Sequence, residues 1–327
     1  MHGPTFLSAA LLAATAFLST PTLAALTDCQ KSMVQQLTNT FENSQTHFAF
    51  DYCQDIKDGR GFTCGIVGFT TSTRDAFDVV STYSKDPGYS QEFEPYLGKL
   101  LELNSTQSDS AEGLSGFCDA WYTAASNPAF RAVQVAKADA LYYTPAQKIA
   151  DNLGLTLAIS RGQLYDAAIQ MGIESDPDSM PSIVNRTAKP EGMAEETWIS
   201  NFMKERQRTL CNPSTPATQA AWCASVTRVE SYTHLLETGQ TNFTETFKPL
   251  NNDGKEFTIN CNLDVWTQYI PGKRYGEEGG SGGLSTGAVA AIAVVLALLV
   301  LVGAFFVHRR IRHGTWRPFG KRSMVIV

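Results

Sequence analysis

Met33, Leu37 and Phe41 recur every fourth residue with Val34 beside them, an apolar stripe that predicts a helix ending near Glu42. The stretch 62–70 is instead rich in β-branched and aromatic residues and interrupted by glycines, which predicts a short strand or hairpin. Helical spacing returns over 75–83, 92–103, 117–125, 128–140, 145–153, 162–171, 195–210 and 216–236. Pro128 and Pro145 fall at first-turn positions, where a missing N–H costs nothing. Breaker-rich segments at 175–180 and 189–192 read as loops. No internal repeat is visible. The pattern predicts an α+β domain, mostly helical with one small β element.

The ends of the chain follow a different pattern. Residues 1–24 carry a short apolar run followed by Thr22-Leu23-Ala24, the form of a secretory signal peptide, although its start has His2 and no Lys or Arg. A second apolar run, 287–307, holds no charge. Twenty helical residues at about 1.5 Å each reach across a hydrocarbon core of about 30 Å. Residues 308–327 then bring Arg309, Arg310, Arg312, Arg317, Lys321 and Arg322, a basic tail that belongs on the cytoplasmic side. The segment 274–286, rich in Gly and Ser, reads as a flexible stalk. The expected organisation is therefore a single-pass type I membrane protein with residues 25–273 as an extracellular domain. A lipid-anchor signal would end in its apolar stretch, whereas here a polar basic segment follows.

Charge sharpens this division. All 32 acidic residues and 20 of the 26 basic ones precede the second apolar run, so that part carries −12 and the tail +6. Such an acidic domain lacks the basic footprint of a nucleic-acid binder and suits a polycationic partner. Seven cysteines lie at 29, 53, 64, 118, 211, 223 and 261. Secretion permits disulfides; Cys211 with Cys223 is the favoured pair, Cys53 with Cys64 a second, and an odd count leaves one thiol over. Asn104, Asn185 and Asn242 each begin a glycosylation acceptor sequence in the extracellular part.

Several chemistries drop out. Between leader and tail only His47 and His234 occur, and no Cys/His spacing fits zinc. Gly61-Phe62-Thr63-Cys64-Gly65 mimics a nucleophile elbow, but strand-like sequence follows where a helix should open. Gly59-Arg60-Gly61 lacks the Lys-Ser/Thr ending of a phosphate loop, and Asp55–Asp58 is too poor in oxygen ligands for calcium. What remains is a pair of carboxylates, Glu42 at a helix end and Asp58 opening an Asp-Gly-Arg-Gly turn. Glycoside hydrolysis needs two such groups facing each other. Taken alone, Glu42 reads first as a solvated helix-end acid and Asp58 as an ordinary turn residue.

Glu42-Asn43-Ser44, followed by Asp58-Gly59-Arg60-Gly61-Phe62-Thr63 and Gly65-Ile66-Val67-Gly68-Phe69, resembles the glycoside hydrolase family 46 chitosanases. The resemblance runs over about 28–240 and is densest over 42–83. It implies a two-lobed, lysozyme-like fold, with Glu42 as proton donor, Asp58 as general base and Thr63 positioning the attacking water. It further implies that Arg60 contacts sugar and that Asp75 binds a glucosamine amine. Asp166, Arg206 and Arg228 match a charge network that tunes the acid. The substrate would be chitosan, or partly deacetylated chitin, and no metal or organic cofactor is implied. Cys64, the cysteine-bearing loop at 211–224, a shorter segment between Glu42 and Asp58, and the membrane-directed C-terminus depart from the family pattern. Two other readings stay open: a catalytically inactive cell-wall polysaccharide receptor on the same fold, and a muramidase.

Overall fold

The computed structural model describes residues 25–57, 59–188 and 191–272. The leader, stalk, apolar span and basic tail lie outside the described residues, and so does Asp58. Among the described residues no helix is long and apolar enough to cross a membrane.

Helix α1, Asp28–Asn43, starts at a capping box in which Thr27 accepts from the Gln30 N–H and the Gln30 side chain returns to the Thr27 N–H. It ends where Ser44 turns left-handed at φ 52°. Every residue from Ser32 to Phe41 is buried, polar ones included. The helix is therefore central rather than half-exposed, and its polar side chains need partners within the protein. Gln36 donates to the Asn260 carbonyl at 2.8 Å and Thr38 to Asp166 at 3.1 Å.

Strands β1 (Cys53–Asp55), β2 (Phe62–Cys64) and β3 (Phe69–Thr70) form an antiparallel sheet in sequence order. Cys53 faces Cys64, Gln54 faces Thr63, and Thr63 in turn faces Thr70. The hairpin expected over 62–70 is β2–β3, and β1 is an additional strand. Helices α2 (Arg74–Tyr83) and α4 (Phe117–Ala125) pack on this sheet, and α3 (Leu97–Thr106) and α5 (Pro128–Ala138) pack on those helices. Their core is aromatic: Phe93, Phe117, Trp121 and Phe130 are fully buried and meet edge-on or tilted, with centroids 4.9–6.0 Å apart.

A second core is built by α1 with α6 (Thr144–Asn152), α7 (Ala158–Met171), α8 (Met180–Arg186), α9 (Glu195–Cys211), α10 (Gln219–Cys223) and α11 (Thr227–Glu237). Helix α7 is buried over almost its whole length against α1. Gly162 allows the approach, since a Cβ there would stand 2.8 Å from Val34 Cγ2. One turn further along both helices, Thr38 meets Asp166.

Sequence and structure part company at three joints. The helices expected at 128–140 and 145–153 are one run, bridged by a π-helical turn, Asp139–Tyr143. Pro145 has no N–H to bond backwards, and the wider turn ahead of it absorbs the defect, Thr144 N–H reaching back to the Asp139 carbonyl. The single helix expected at 216–236 is broken into a 3₁₀ turn (Pro216–Thr218), α10 and α11. The Cys211–Cys223 disulfide pulls α10 back onto α9, and Ser225 Oγ donates to the Trp222 carbonyl at the break. Helix α3 starts at Leu97 rather than 92, after a left-handed Gln91.

The last segment closes the structure. Residues 247–259 form a short antiparallel bridge, Phe247 to Ile259, and a 3₁₀ turn follows at Leu263–Trp266. Cys261 is bonded to Cys29 at the start of α1. Val265 belongs to the aromatic core, Arg131 Nε donates to the Thr267 carbonyl at 3.0 Å, and Gly272 N–H donates to Asp51 at 2.6 Å. This strap therefore touches both cores.

Candidate active site

Glu42 stands in the last turn of α1, where the helix leaves the buried centre. Its side chain is 22% exposed, and Oε1 pairs with Arg228 Nη1 at 2.8 Å. Arg228, on α11, is almost fully buried and also grips Asp166 of α7 with two nitrogens, Nε–Oδ2 at 3.0 Å and Nη2–Oδ1 at 2.7 Å. Arg206 of α9, fully buried, completes the group by pairing with Asp166 Oδ2 at 2.8 Å. Gln163 and Gln170 of α7 accept from Arg206 as well. Four helices thus bring two cations and two anions into one chain of contacts, of which only Glu42 is appreciably open to solvent.

Burial by itself would raise the Asp166 carboxyl. The fields and hydrogen bonds of Arg228 and Arg206 outweigh it and hold the group below its ordinary value. Arg228 is likewise opposed by burial, yet held above its ordinary value by Asp166 and Glu42. Tyr232, fully buried beside them, is raised first by burial and then by the Asp166 charge. Asp166 and Arg228 are therefore each held in the charged form by the other.

Arg60 and Thr63 come from the β1–β2 hairpin. Gly61 has φ +73°, and a Cβ there would collide with the Thr71 hydroxyl, so the turn requires glycine. The Phe62 and Thr71 backbones are joined by a 3.0 Å bond from Thr71 N–H to the Phe62 carbonyl, and Ser72 N–H bonds the Arg60 carbonyl at 3.1 Å. Thr63 is 4% exposed, and its Oγ1 makes no hydrogen bond to the described residues. Asp75 opens α2, where Thr73 Oγ1 and the Thr70 N–H donate to its Oδ1. Burial raises the Asp75 carboxyl, and those donors temper the rise without cancelling it.

One residue that sequence reasoning passed over links these parts. Tyr142, in the π-helical turn, is half-buried and pushed up to about 12, first by burial and then by the charge of Asp75; Arg60 opposes the rise and Glu42 adds to it. It therefore lies within electrostatic reach of Glu42 from one core and of Arg60 and Asp75 from the other. The available signal was faint: a Tyr142-Tyr143 pair just ahead of Thr144-Pro145, where a helix must adjust. The charges of Glu42, Arg60 and Asp75 thus all bear on the Tyr142 hydroxyl, and Asp166, Arg206 and Arg228 stand behind Glu42. Asp58 lies outside the described residues. Among the described residues, one group of three or more His, Cys, Asp or Glu has converging ligand atoms: Cys53, Cys64 and Cys118, none of them a carboxylate of this site.

The model of glycosyl hydrolase family 46 matches residues 36–247. A chitosanase of Bacillus subtilis (strain 168) is 37% identical over 242 residues, 72% of this chain and 87% of that protein. A chitosanase of Streptomyces sp. (strain N174) is 31% identical over 189 residues, 55% of this chain and 66% of that one. Among solved structures, native chitosanase from Bacillus subtilis MY002 superposes with a TM-score of 0.64 at 37% identity, covering 72% of this chain and all of that one. A Gynuella sunshinyii family 46 chitosanase in complex with chitotetraose gives 0.64 at 33% identity, covering 73% of this chain and all of that one.

Proposed function

The chain belongs to glycosyl hydrolase family 46 and is a chitosanase, and from that premise we propose that it cleaves β-1,4 bonds within chitosan by a single inverting displacement. Glu42 is the general acid and protonates the leaving glycosidic oxygen. Asp58, with the Thr63 hydroxyl, activates water on the opposite face of the sugar. Inverting enzymes hold their two carboxyls about 6.5–9.5 Å apart to admit that water.

The observation that carries this reading is the Glu42–Arg228–Asp166 chain: a helix-end carboxyl that reaches solvent yet is held from behind by a buried, charge-balanced network. An ordinary surface acid has no such support. Because Arg228 is itself fixed by Asp166, it orients Glu42 from behind. Arg60 and Tyr142 contact the sugar chain, and Asp75 pairs with a glucosamine ammonium. Asp75 and the domain's negative charge favour deacetylated polymer. Residues 1–24 direct the enzyme out of the cell, and 287–307 tether it there with the catalytic domain outside.

The test is chitosan hydrolysis by the purified protein, followed by viscosity and by the anomer released. A rapid fall in viscosity with the α-anomer as first product is expected, and Glu42→Gln should lower the rate by about 10²-fold or more. Release of the β-anomer would exclude one-step inversion. Slow viscosity loss with early small products would exclude internal cleavage. Near-full activity of Glu42→Gln would remove Glu42 from the mechanism, and binding without cleavage would favour a polysaccharide receptor.

A further inference from the structure

The chain has seven cysteines, and four of them pair unambiguously as Cys29–Cys261 and Cys211–Cys223. The other three, Cys53 of β1, Cys64 of β2 and Cys118 of α4, have sulfurs all within 4.8 Å of one another. Cys53 is within bonding reach of both neighbours, with Cα separations of 4.0 Å to Cys64 and 5.2 Å to Cys118. A sulfur makes one disulfide bond. The trio therefore holds one disulfide and one thiol, and the thiol sits beside the bond it could attack.

The two arrangements are unequal. Disulfides ordinarily separate Cα atoms by about 4.4–6.8 Å, so the strand-to-helix pair Cys53–Cys118 fits the usual range and the cross-strand pair Cys53–Cys64 is tighter. Exposure differs too. Cys64 is completely buried between β1, β3 and the aromatic core, whereas Cys118 is partly open on the first turn of α4. A thiol left at Cys64 is closed to reagents, and a thiol left at Cys118 is not.

We propose that one disulfide is shared by exchange between Cys53–Cys118 and Cys53–Cys64, and that exchange uncovers Cys118 as a site of thiol modification. In the step, the Cys64 thiolate attacks the Cys53 sulfur, the Cys53–Cys64 bond forms and the Cys53–Cys118 bond breaks. The electron pair leaves on Cys118, which takes up a proton equivalent to the one Cys64 released to solvent. Nothing is oxidised or reduced overall. The freed Cys118 thiolate can then attack a small-molecule disulfide, forming a mixed disulfide and releasing one small thiol. That modification holds the sheet in the cross-strand form and unties α4 from β1.

The experiment treats the native, unreduced full-length protein with excess N-ethylmaleimide, quenches in acid and maps linked and labelled peptides by mass spectrometry without reduction. Before treatment the main linked peptide should be Cys53–Cys118. During treatment one label per chain should accumulate on Cys118, in step with the Cys53–Cys64 peptide. Cys64→Ser and Cys64→Ala should each keep Cys53–Cys118 and take no label there; whichever of the two folds supplies the control. No label on the native protein, label on Cys64, or label on Cys118 in a Cys64 variant would each overturn the proposal. Label on all three cysteines would overturn it too, since that marks a reduced trio, with or without a soft metal ion.

Discussion

Asp75, the proposed partner of a glucosamine ammonium, is held by the fold against its own charge. Burial raises its carboxyl above the ordinary 3.8, so the folded state holds the proton more tightly than the unfolded chain does. The sign follows from linkage: relative to neutral pH, the group's contribution to stability is greatest below 3.8 and is lost as pH rises through the raised value. Asp75→Asn should therefore raise the melting temperature at pH 7, and the gain over wild type should vanish below about pH 3.8. The same change should weaken binding of glucosamine oligomers roughly ten- to hundredfold, the scale of about 1.5–3 kcal/mol for a charged hydrogen bond. Acetylated oligomers, which carry no ammonium, should lose little. Calorimetry with both oligomers decides it; equal losses would remove the amine contact.

At the level of elements, the site depends on four helices meeting at one buried carboxylate. Asp166 is held by Arg228 from α11 and Arg206 from α9, and Thr38 of α1 donates to it as well. Arg206 does not touch Glu42, so its removal isolates the structural share of the network. Arg206→Met should cost about 3–5 kcal/mol, because it leaves a buried charge undercompensated. Denaturant midpoints at neutral pH read this directly. Asp166 is depressed in the folded state, so its contribution is present above 3.8 and fades as pH falls through its lower folded value; the gap between wild type and variant should narrow there. A gap that persists unchanged in acid would assign the loss to packing rather than charge. Much of this was legible early: Asp166, Arg206 and Arg228 stood out through the family resemblance. Their partners Gln163, Gln170 and Thr38 did not, because neutral polar residues on a helix read as solvated until burial is known.

At the scale of the whole molecule, the described residues form two cores joined at the α5–α6 run and again at the terminal strap. The family model stops at residue 247, while the strap continues to 272. Its anchor, Cys29–Cys261, closes a separation of 232 residues, the long-loop case in which a disulfide most restricts the unfolded chain. Replacing both cysteines by serine should cost about 2–5 kcal/mol. Catalysis at temperatures where the fold persists should change little, since neither residue adjoins Glu42, Thr63 or Asp75. A melting temperature equal to wild type would show that the strap's hydrogen bonds to α1 and Arg131 suffice without the covalent tie.

The sequence by itself determined the helical content, the glycine-rich hairpin, the identity of the charged residues and the Cys211–Cys223 pair. Those rest on local periodicity, backbone permissiveness and short spacing. Only the tertiary structure decided that α1 is buried on every side, that Pro145 is absorbed in a π-helical turn rather than ending a helix, and that Tyr142 feels the charges of Asp75, Arg60 and Glu42 together. It also decided that three cysteines compete for one bond. Each of those depends on what packs against a residue from far along the chain, and a pattern of apolar and polar positions carries no record of the partner.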